Sequence, residues 1–360
     1  MKHCKLSALL LAFALLFSLA ACETGVDAPT GGPTQQATAS VSPTEGPSNG
    51  PAETPDCPMP HGPVRVAVLS GPTGVGAAKL LSDADNDPSA LRAGYDCHIY
   101  TDNSELVAGL TTGELDIATM ASNMAANLYN KTNGDVTIIA AGTLGVLHIL
   151  EGGGGNSIRS IADLQGKTIW AAGKGANPEY ILRYLLEQND LTPGKNVEVQ
   201  FADAGEIQAK LLAGQIQYAM LPVPAATAAI AKGEGKVRAA IDVTEAWNEL
   251  QGGSPLVMTA VVARTEFVGA YPELVNAFLA DYKDSIDYVN HNDAAAKLVA
   301  DYGLAPSEAI ARQAIPQCHL VFLSGEEMLS ALADYFHVLW SIDHDAVGGS
   351  VPSDRIYYIQ

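Results

Sequence analysis

Basic residues are scarce in this chain. Twenty Lys and Arg stand against forty Asp and Glu in 360 residues, a formal charge of −20 at pH 7. Polyphosphate chains and anionic lipid surfaces are held by cationic density, so nucleic acid is excluded as a partner. Cysteine is also sparse, five in all. Neither C-x-x-C nor H-x-x-x-H spacing occurs, and no resident metal is expected. The dipeptides Cys97-His98 and Cys318-His319 are too far apart in sequence to read as one motif. H-E-x-x-H and S-x-x-K are missing, so these signatures give catalysis no support and no cofactor is expected. Carboxylate pairs such as Glu326-Glu327 and Asp343/Asp345 read as solvated faces. The glycine-rich stretch "SGPTGVGAAKLL" (70–81) fails as a nucleotide loop: Gly71 and Gly76 have P-loop separation, but Ala77 and Ala78 follow and Lys79 is displaced.

What is present begins with the start of the chain, "MKHCKLSALLLAFALLFSLAAC". Lys2 and Lys5 precede a mostly apolar run from Leu6 to Ala20, and a small-residue site ends at Cys22. The run is too short for a spanning helix and reads as a secretion signal, residues 1–21. "L-A-A-C" resembles the bacterial lipobox, which implies a diacylglyceryl thioether on Cys22 and anchoring to the outer face of the cell membrane. Removing the signal leaves 18 basic and 40 acidic groups, a charge of −22. Residues 22–62 carry eight prolines, no Lys or Arg and few large apolar side chains. Such a segment cannot bury enough surface to offset its ordering entropy and is expected to act as a disordered tether. Outside the cytosol a pair of the remaining cysteines could oxidise; Cys97 with Cys318 is favoured, and Cys57 with Cys97 is the alternative.

The body, residues 63–360, contains a repeat. "ELVAGLTTGELDIATMASNMAANLYNK" (105–131) aligns without a gap on "EIQAKLLAGQIQYAMLPVPAATAAIAK" (206–232) at a constant offset of 101, with identities at Glu105/Glu206, Leu110/Leu211, Gly113/Gly214 and Lys131/Lys232 among others. Each copy reads as helix, glycine stop, buried strand, turn, helix. Each is preceded by a strand, a glycine-rich turn and a helix. Alternating strands and helices imply mainly parallel sheets, whose ligands lie beyond the carboxyl ends of the strands. The expected architecture is α/β with two lobes: lobe 1 over 63–150 and 254–360 with a helical C-terminus, and lobe 2 over 151–253. "EGGGGNS" and "GGSPLVMTAVVAR" are the expected crossovers. The lining falls on the strand-to-helix turns: Ser70, Gly71, Thr73 and Gly74; Ser122 and Asn123; Thr143; Lys174, Gly175, Asn177 and Tyr180; and Pro222. Turn amides and the Thr73 hydroxyl at helix starts favour carboxylate, sulfonate or other acceptor-rich groups. Ser122 and Asn123 suit helix capping as well as ligand contact. Pro178 suits a first helical position. Lys174 is the one cation in these turns, and Trp170 and Trp247 read as core.

"GELDIATMASNMAANLYNK", "LQGKTIWAAGKGANPEYILRYLL", "AGQIQYAMLPVPAAT" and the tail "AVGGSVPSDRIYY" together resemble the solute-binding lipoproteins of ABC importers, in the branch of nitrate, sulfonate, taurine and thiamine-precursor binders. The resemblance covers nearly the whole body. It implies the two-lobed type II periplasmic-binding-protein fold, each lobe a mainly parallel sheet flanked by helices and joined by two crossover strands. It implies a monomer that takes a small organic solute and hands it to separate ABC permease and ATPase chains. Many relatives carry an acid where this chain has Gln217, and "P-E-P" where it has Pro222-Val223-Pro224, so a contact made by that glutamate is absent here. Two other readings go with this fold: a lipid-anchored sensor or surface interaction protein, and an enzyme making a pyrimidine precursor, for which His148 is the candidate histidine.

Overall fold

The structure, a computed structural model, describes residues 62–251 and 254–359. The secretion signal, Cys22, the tether and Cys57 lie outside the described residues. The first half of the fold runs β1 (Val64–Leu69), α1 (Pro72–Val75), α2 (Ala78–Asn86), β2 (Tyr95–Tyr100), α3 (Asn103–Thr112), β3 (Ile117–Ala121), α4 (Ser122–Lys131) and β4 (Val136–Thr143). The second runs β5 (Leu147–Glu151), β6 (Thr168–Ala171), α5 (Asn177–Glu187), β7 (Glu198–Phe201), α6 (Ala204–Leu212), β8 (Tyr218–Pro222), α7 (Ala225–Lys232), β9 (Arg238–Asp242) and α8 (Val243–Gln251). The chain then returns through β10 (Thr259–Arg264), α9 (Thr265–Ala270), α10 (Pro272–His291), α11 (Ala295–Asp301), α12 (Glu308–Ala314), β11 (Leu320–Leu323) and α13 (Gly325–Ile342). Strands such as "IATMA" and "VTIIAAGT" are continuous apolar runs because helices cover both faces of the sheet.

Two sheets result, in the orders β2-β1-β3-β10-β4-β11 and β7-β6-β8-β5-β9. Setting aside the extra edge strand β11, the orders are equivalent, and the offset of 101 carries β3 onto β8 residue for residue. In both, the first three strands pair parallel. In both, one antiparallel strand lies between the third strand and the last: β10 in lobe 1 and β5 in lobe 2. These two are the strands on which the chain arrives from the other lobe.

The lobes share core. Met120, Ile138, Ala260 and Val262 on one face of the first sheet belong to the same buried cluster as Tyr335, Phe336 and Leu339 of α13, Ile181 and Leu185 of α5, and Trp247 of α8. Trp247 packs edge-on to Tyr335 with ring centroids 5.7 Å apart. Full burial of each such side chain contributes about 1.5–3 kcal/mol, so α13 fastens one lobe to the other as well as covering its own sheet.

Two expectations are corrected. Because β5 already pairs with β8 and β9, the chain leaves lobe 1 through Leu144–Val146 and not through "EGGGGNS" after Leu150. Those glycines wrap a buried carboxylate at the far end of lobe 2. Glu151 accepts from Ser157 N, Ser157 Oγ and Arg238, and a Cβ on Gly155 would meet its Oε1 at 2.4 Å. The Cys97–Cys318 disulfide does not form: both thiols are free. Cys97 is on edge strand β2, and Cys318 immediately precedes β11 at the other edge of the same sheet. Five strand spacings of about 4.8 Å separate those edges, several times the Cα separation a disulfide spans.

Candidate functional site

Thr259 at the start of β10 is in register with Ala121 at the end of β3 and Thr143 at the end of β4, so one row crosses three strands at the carboxyl edge of the lobe 1 sheet. The Thr259 hydroxyl reaches Thr73 Oγ1 at 3.4 Å, joining the glycine turn to this row. That turn needs its glycines: Gly71 sits at φ 83°, where a side chain is strained, and a Cβ on Gly74 would lie 2.6 Å from the Leu69 carbonyl oxygen. Ser70 is partly exposed, and its amide donates to Tyr100 O, extending the β1–β2 ladder.

Lobe 2 enters this row with one side chain. Asn177, the first residue of α5, is fully buried. Its Nδ2 donates to Met258 O at 2.8 Å and to Ser122 Oγ at 3.1 Å. Its Oδ1 accepts from Tyr335 OH at 3.0 Å and from the Asn123 amide, in the first turn of α4, at 3.3 Å. The Ser122 proton goes to Val257 O at 2.6 Å. Asn123 reciprocates by donating Nδ2 to Gly175 O (3.2 Å) and Ala346 O (3.4 Å). Ser122, Asn123, Gly175 and Asn177 are therefore brought together as expected from the sequence, and largely hold one another.

Polar atoms remain. Among the described residues five buried side-chain atoms lack a hydrogen-bond partner: Asn123 Oδ1, Thr143 Oγ1, His148 Nδ1, Thr227 Oγ1 and Tyr282 OH. Four of them lie at or next to the ends of strands and the starts of helices, and the fifth, Tyr282, lies in the core of lobe 1. Asn123 begins α4 and Thr143 ends β4. Thr227 is in the first turn of α7. His148, second in β5, pairs with Leu221 near the end of β8. Tyr282 of α10 presses its hydroxyl on Gly142, where a Cβ would come within 2.3 Å. Unpaired buried polar groups cost about 1–3 kcal/mol each; Tyr282 is part of the lobe 1 core, and the other four stand at strand ends and helix starts.

The remaining expected residues are placed differently. Lys174 is exposed. Tyr180 is half-buried against the shared core; burial first, then Glu179, Asp343 and Asp345, push its hydroxyl pKa up. Pro222 pairs with Leu147 at the crossover, and Val223 after it inserts into the lobe 1 core. Burial lowers the His148 pKa; His319 adds to this, while Asp242 and Glu245 oppose it. Among the described residues no group of three His, Cys, Asp or Glu is placed to hold a metal. Sequence reasoning missed Thr227, Thr259, Tyr282 and Tyr335. The last two arrive on α10 and α13, helices with no counterpart in the repeat.

Two open grooves lie at the opposite poles. One of about 440 Å³ is lined by Leu110, Gly113 and Val136, the other, of about 470 Å³, by Leu211, Gly214 and Val237. They are the same place in the two repeat copies, 101 residues apart. Neither is lined by an unpaired buried polar atom, so the chemistry points to the layer between the sheets.

The model of the NMT1-like family matches residues 100–303. Among solved structures, the chain is similar to an ABC transporter protein from Parabacteroides distasonis, at 23% identity and TM-score 0.66 over 82% of this chain and 98% of that one. It is similar to the periplasmic aliphatic sulphonate-binding protein SsuA from Escherichia coli, at 13% identity and TM-score 0.66 over 82% and 92%. It is also similar to the alkanesulfonate-binding protein SsuA from Xanthomonas axonopodis pv. citri bound to MOPS, at 15% identity and TM-score 0.61 over 82% and 95%. No curated protein matches.

Proposed function

The chain belongs to the NMT1-like family and has the two-lobed type II periplasmic-binding-protein fold, and on that premise we propose that it is the solute-binding subunit of an ABC importer. It binds and does not catalyse. Its ligand is a small organic molecule held in the layer between the lobes, and its partners are a permease and an ATPase on separate chains. The observation that carries this reading is that four of the five unpaired buried polar atoms, those of Asn123, Thr143, His148 and Thr227, stand at the strand ends and helix starts of the two lobes. A guest that pairs with groups from β4 and α4 of lobe 1 and from β5 and α7 of lobe 2 is bound better when the lobes are together, which couples occupancy to closure.

The "L-A-A-C" run ending at Cys22 supports anchoring of the mature chain to the outer face of the cell membrane. Cys22→Ser is expected to move the protein from the membrane fraction to the medium or periplasm. For solute binding, the test is native mass spectrometry of the full chain incubated with a filtered small-molecule extract of growth medium. A one-to-one small-molecule adduct is expected, and it is weakened about tenfold in Thr143→Val. An extract that yields no adduct under any growth condition overturns the reading.

A further inference from the structure

Asn123 has its carboxamide orientation fixed. Nδ2 faces two carbonyl oxygens, Gly175 O and Ala346 O, and turning the amide over would set oxygen against oxygen at both. The unpaired atom is therefore an acceptor, 1% exposed as part of its residue, and only a donor satisfies it. The hydroxyls of Thr143 and Thr227 pair with either kind of group.

Most of the helix starts an anion would use are capped or stand beside a carboxylate. An anion in such a fold is held by positive helix starts and by cations. The start of α4 already donates to Asn177 Oδ1. At the start of α5, Gly175 N donates to the carboxylate of Glu179 at 2.6 Å. The start of α3 is capped by Asp102 on Ser104 N, and that of α8 by Asp242 on Thr244 N. Helix α6 begins after Asp203, whose carboxylate stands at that start without capping it, and the start of α7 after Pro224 has no side-chain cap. Three of these caps are carboxylates. Lys174, the one cation in the lining turns, is exposed and shares its turn with Glu179, so the turn has no net charge.

We infer that the solute held at this site carries N–H or O–H donors and no net negative charge, which separates this chain from the sulfonate binders it resembles in fold. This rests on the solute-binding reading above. It reverses the expectation, drawn from amide-rich turns alone, of an acceptor-rich ligand.

The experiment is a thermal-shift titration of the full chain with two probe sets at equal concentrations. Adenine, uracil, nicotinamide, glucose and ethanolamine offer donors without negative charge. Methanesulfonate and ethanesulfonate carry a sulfonate with net negative charge and no N–H or O–H donor. A concentration-dependent rise in Tm is expected with one or more of the first set and with none of the second. Thr143→Val is expected to weaken the responding probe about tenfold while leaving the unliganded Tm unchanged, because that hydroxyl has no internal partner to lose. A shift from any sulfonate overturns the inference and leaves the solute-binding reading standing. Silence from both sets overturns both. As a second arm, the double variant Asn177→Ala, Glu179→Ala uncovers the α4 and α5 starts and is expected to gain a response to methanesulfonate. If it folds and stays silent, anion exclusion has another cause and the inference falls.

Discussion

The two lobes share a strand order and differ where they meet. At the offset of 101, Ser122 and Asn123 of lobe 1 correspond to Val223 and Pro224 of lobe 2. The first pair opens a helix with polar groups that receive Asn177. The second pushes Val223 into the hydrophobic core of the partner lobe. One backbone position thus serves as a polar socket in one copy and an apolar plug in the other. Charge has diverged too: lobe 2 (147–251) has nine basic and twelve acidic residues, net −3. Lobe 1 (62–146 and 254–359) has nine against twenty-three, net −14. The interior of a repeat is constrained by packing, while its rims diverge.

The far poles give the sharpest way to test the comparison. Each carries a buried carboxylate, but with different support. Asp116 has two arginines, Arg65 at 2.6 Å and Arg264 at 3.1 Å. Glu151 has one, Arg238, at 2.6 Å. Burial pushes both carboxyl pKa values up, and the hydrogen bonds from Arg65 and Arg264 to Asp116, and from Ser157 and Arg238 to Glu151, outweigh it and hold them low. Arg238→Met strands Glu151 without a cation and is expected to cost about 3 kcal/mol in denaturant unfolding; Arg264→Met leaves Arg65 in place and should cost about 1 kcal/mol. Equal losses would mean the poles are supported alike. Since both folded pKa values are depressed, this stabilisation is present above the unfolded carboxylate pKa and is lost as pH falls through the folded one.

The next effects lie between the lobes. Asn177→Ala removes the bridge to Ser122, Asn123, Met258 and Tyr335, with an expected cost of about 1–3 kcal/mol. It should also raise the radius of gyration by small-angle scattering; an unchanged radius would show that α13 alone sets closure. At the crossover, a Cβ on Gly145 would lie 2.1 Å from Thr244 Oγ1. Gly145→Ala is expected to cost about 1–3 kcal/mol through overpacking, largely restored by Thr244→Ala in the same chain. The smallest effect concerns His148. Its folded pKa lies below the ordinary 6.5, so the unfolded chain takes up its proton first and stability falls as pH drops below that value. His148→Gln should flatten the Tm profile in that acid range while leaving Tm at neutral pH nearly unchanged.

Much of the fold was legible in the sequence because the repeat is ungapped and strands and helices alternate with different periods. The meeting of Ser122 and Asn123 with Gly175 and Asn177 follows from the same pattern, since both turns end parallel strands. The crossover was misplaced because a glycine run resembles a hinge, and only the fold shows the Glu151 carboxylate that fills it. The cysteine pairing failed because strand order, not sequence, sets distance across a sheet. Asn177 reads in sequence as a turn residue beside free amides; its four partners come from α4, the second crossover and α13, a coincidence of distant segments that no local spacing encodes.

The placement of β10 has a consequence for how the molecule is made. Every strand of the second sheet has been synthesised once Asp242 is added, and those strands form one unbroken stretch, Leu147 to Asp242. The first sheet, although its synthesis begins earlier, still lacks the strand between β3 and β4 until Thr259–Arg264 appears. The later-encoded half is thus the first able to zip shut, and the earlier-encoded half must wait, split down its middle, for the chain to come back.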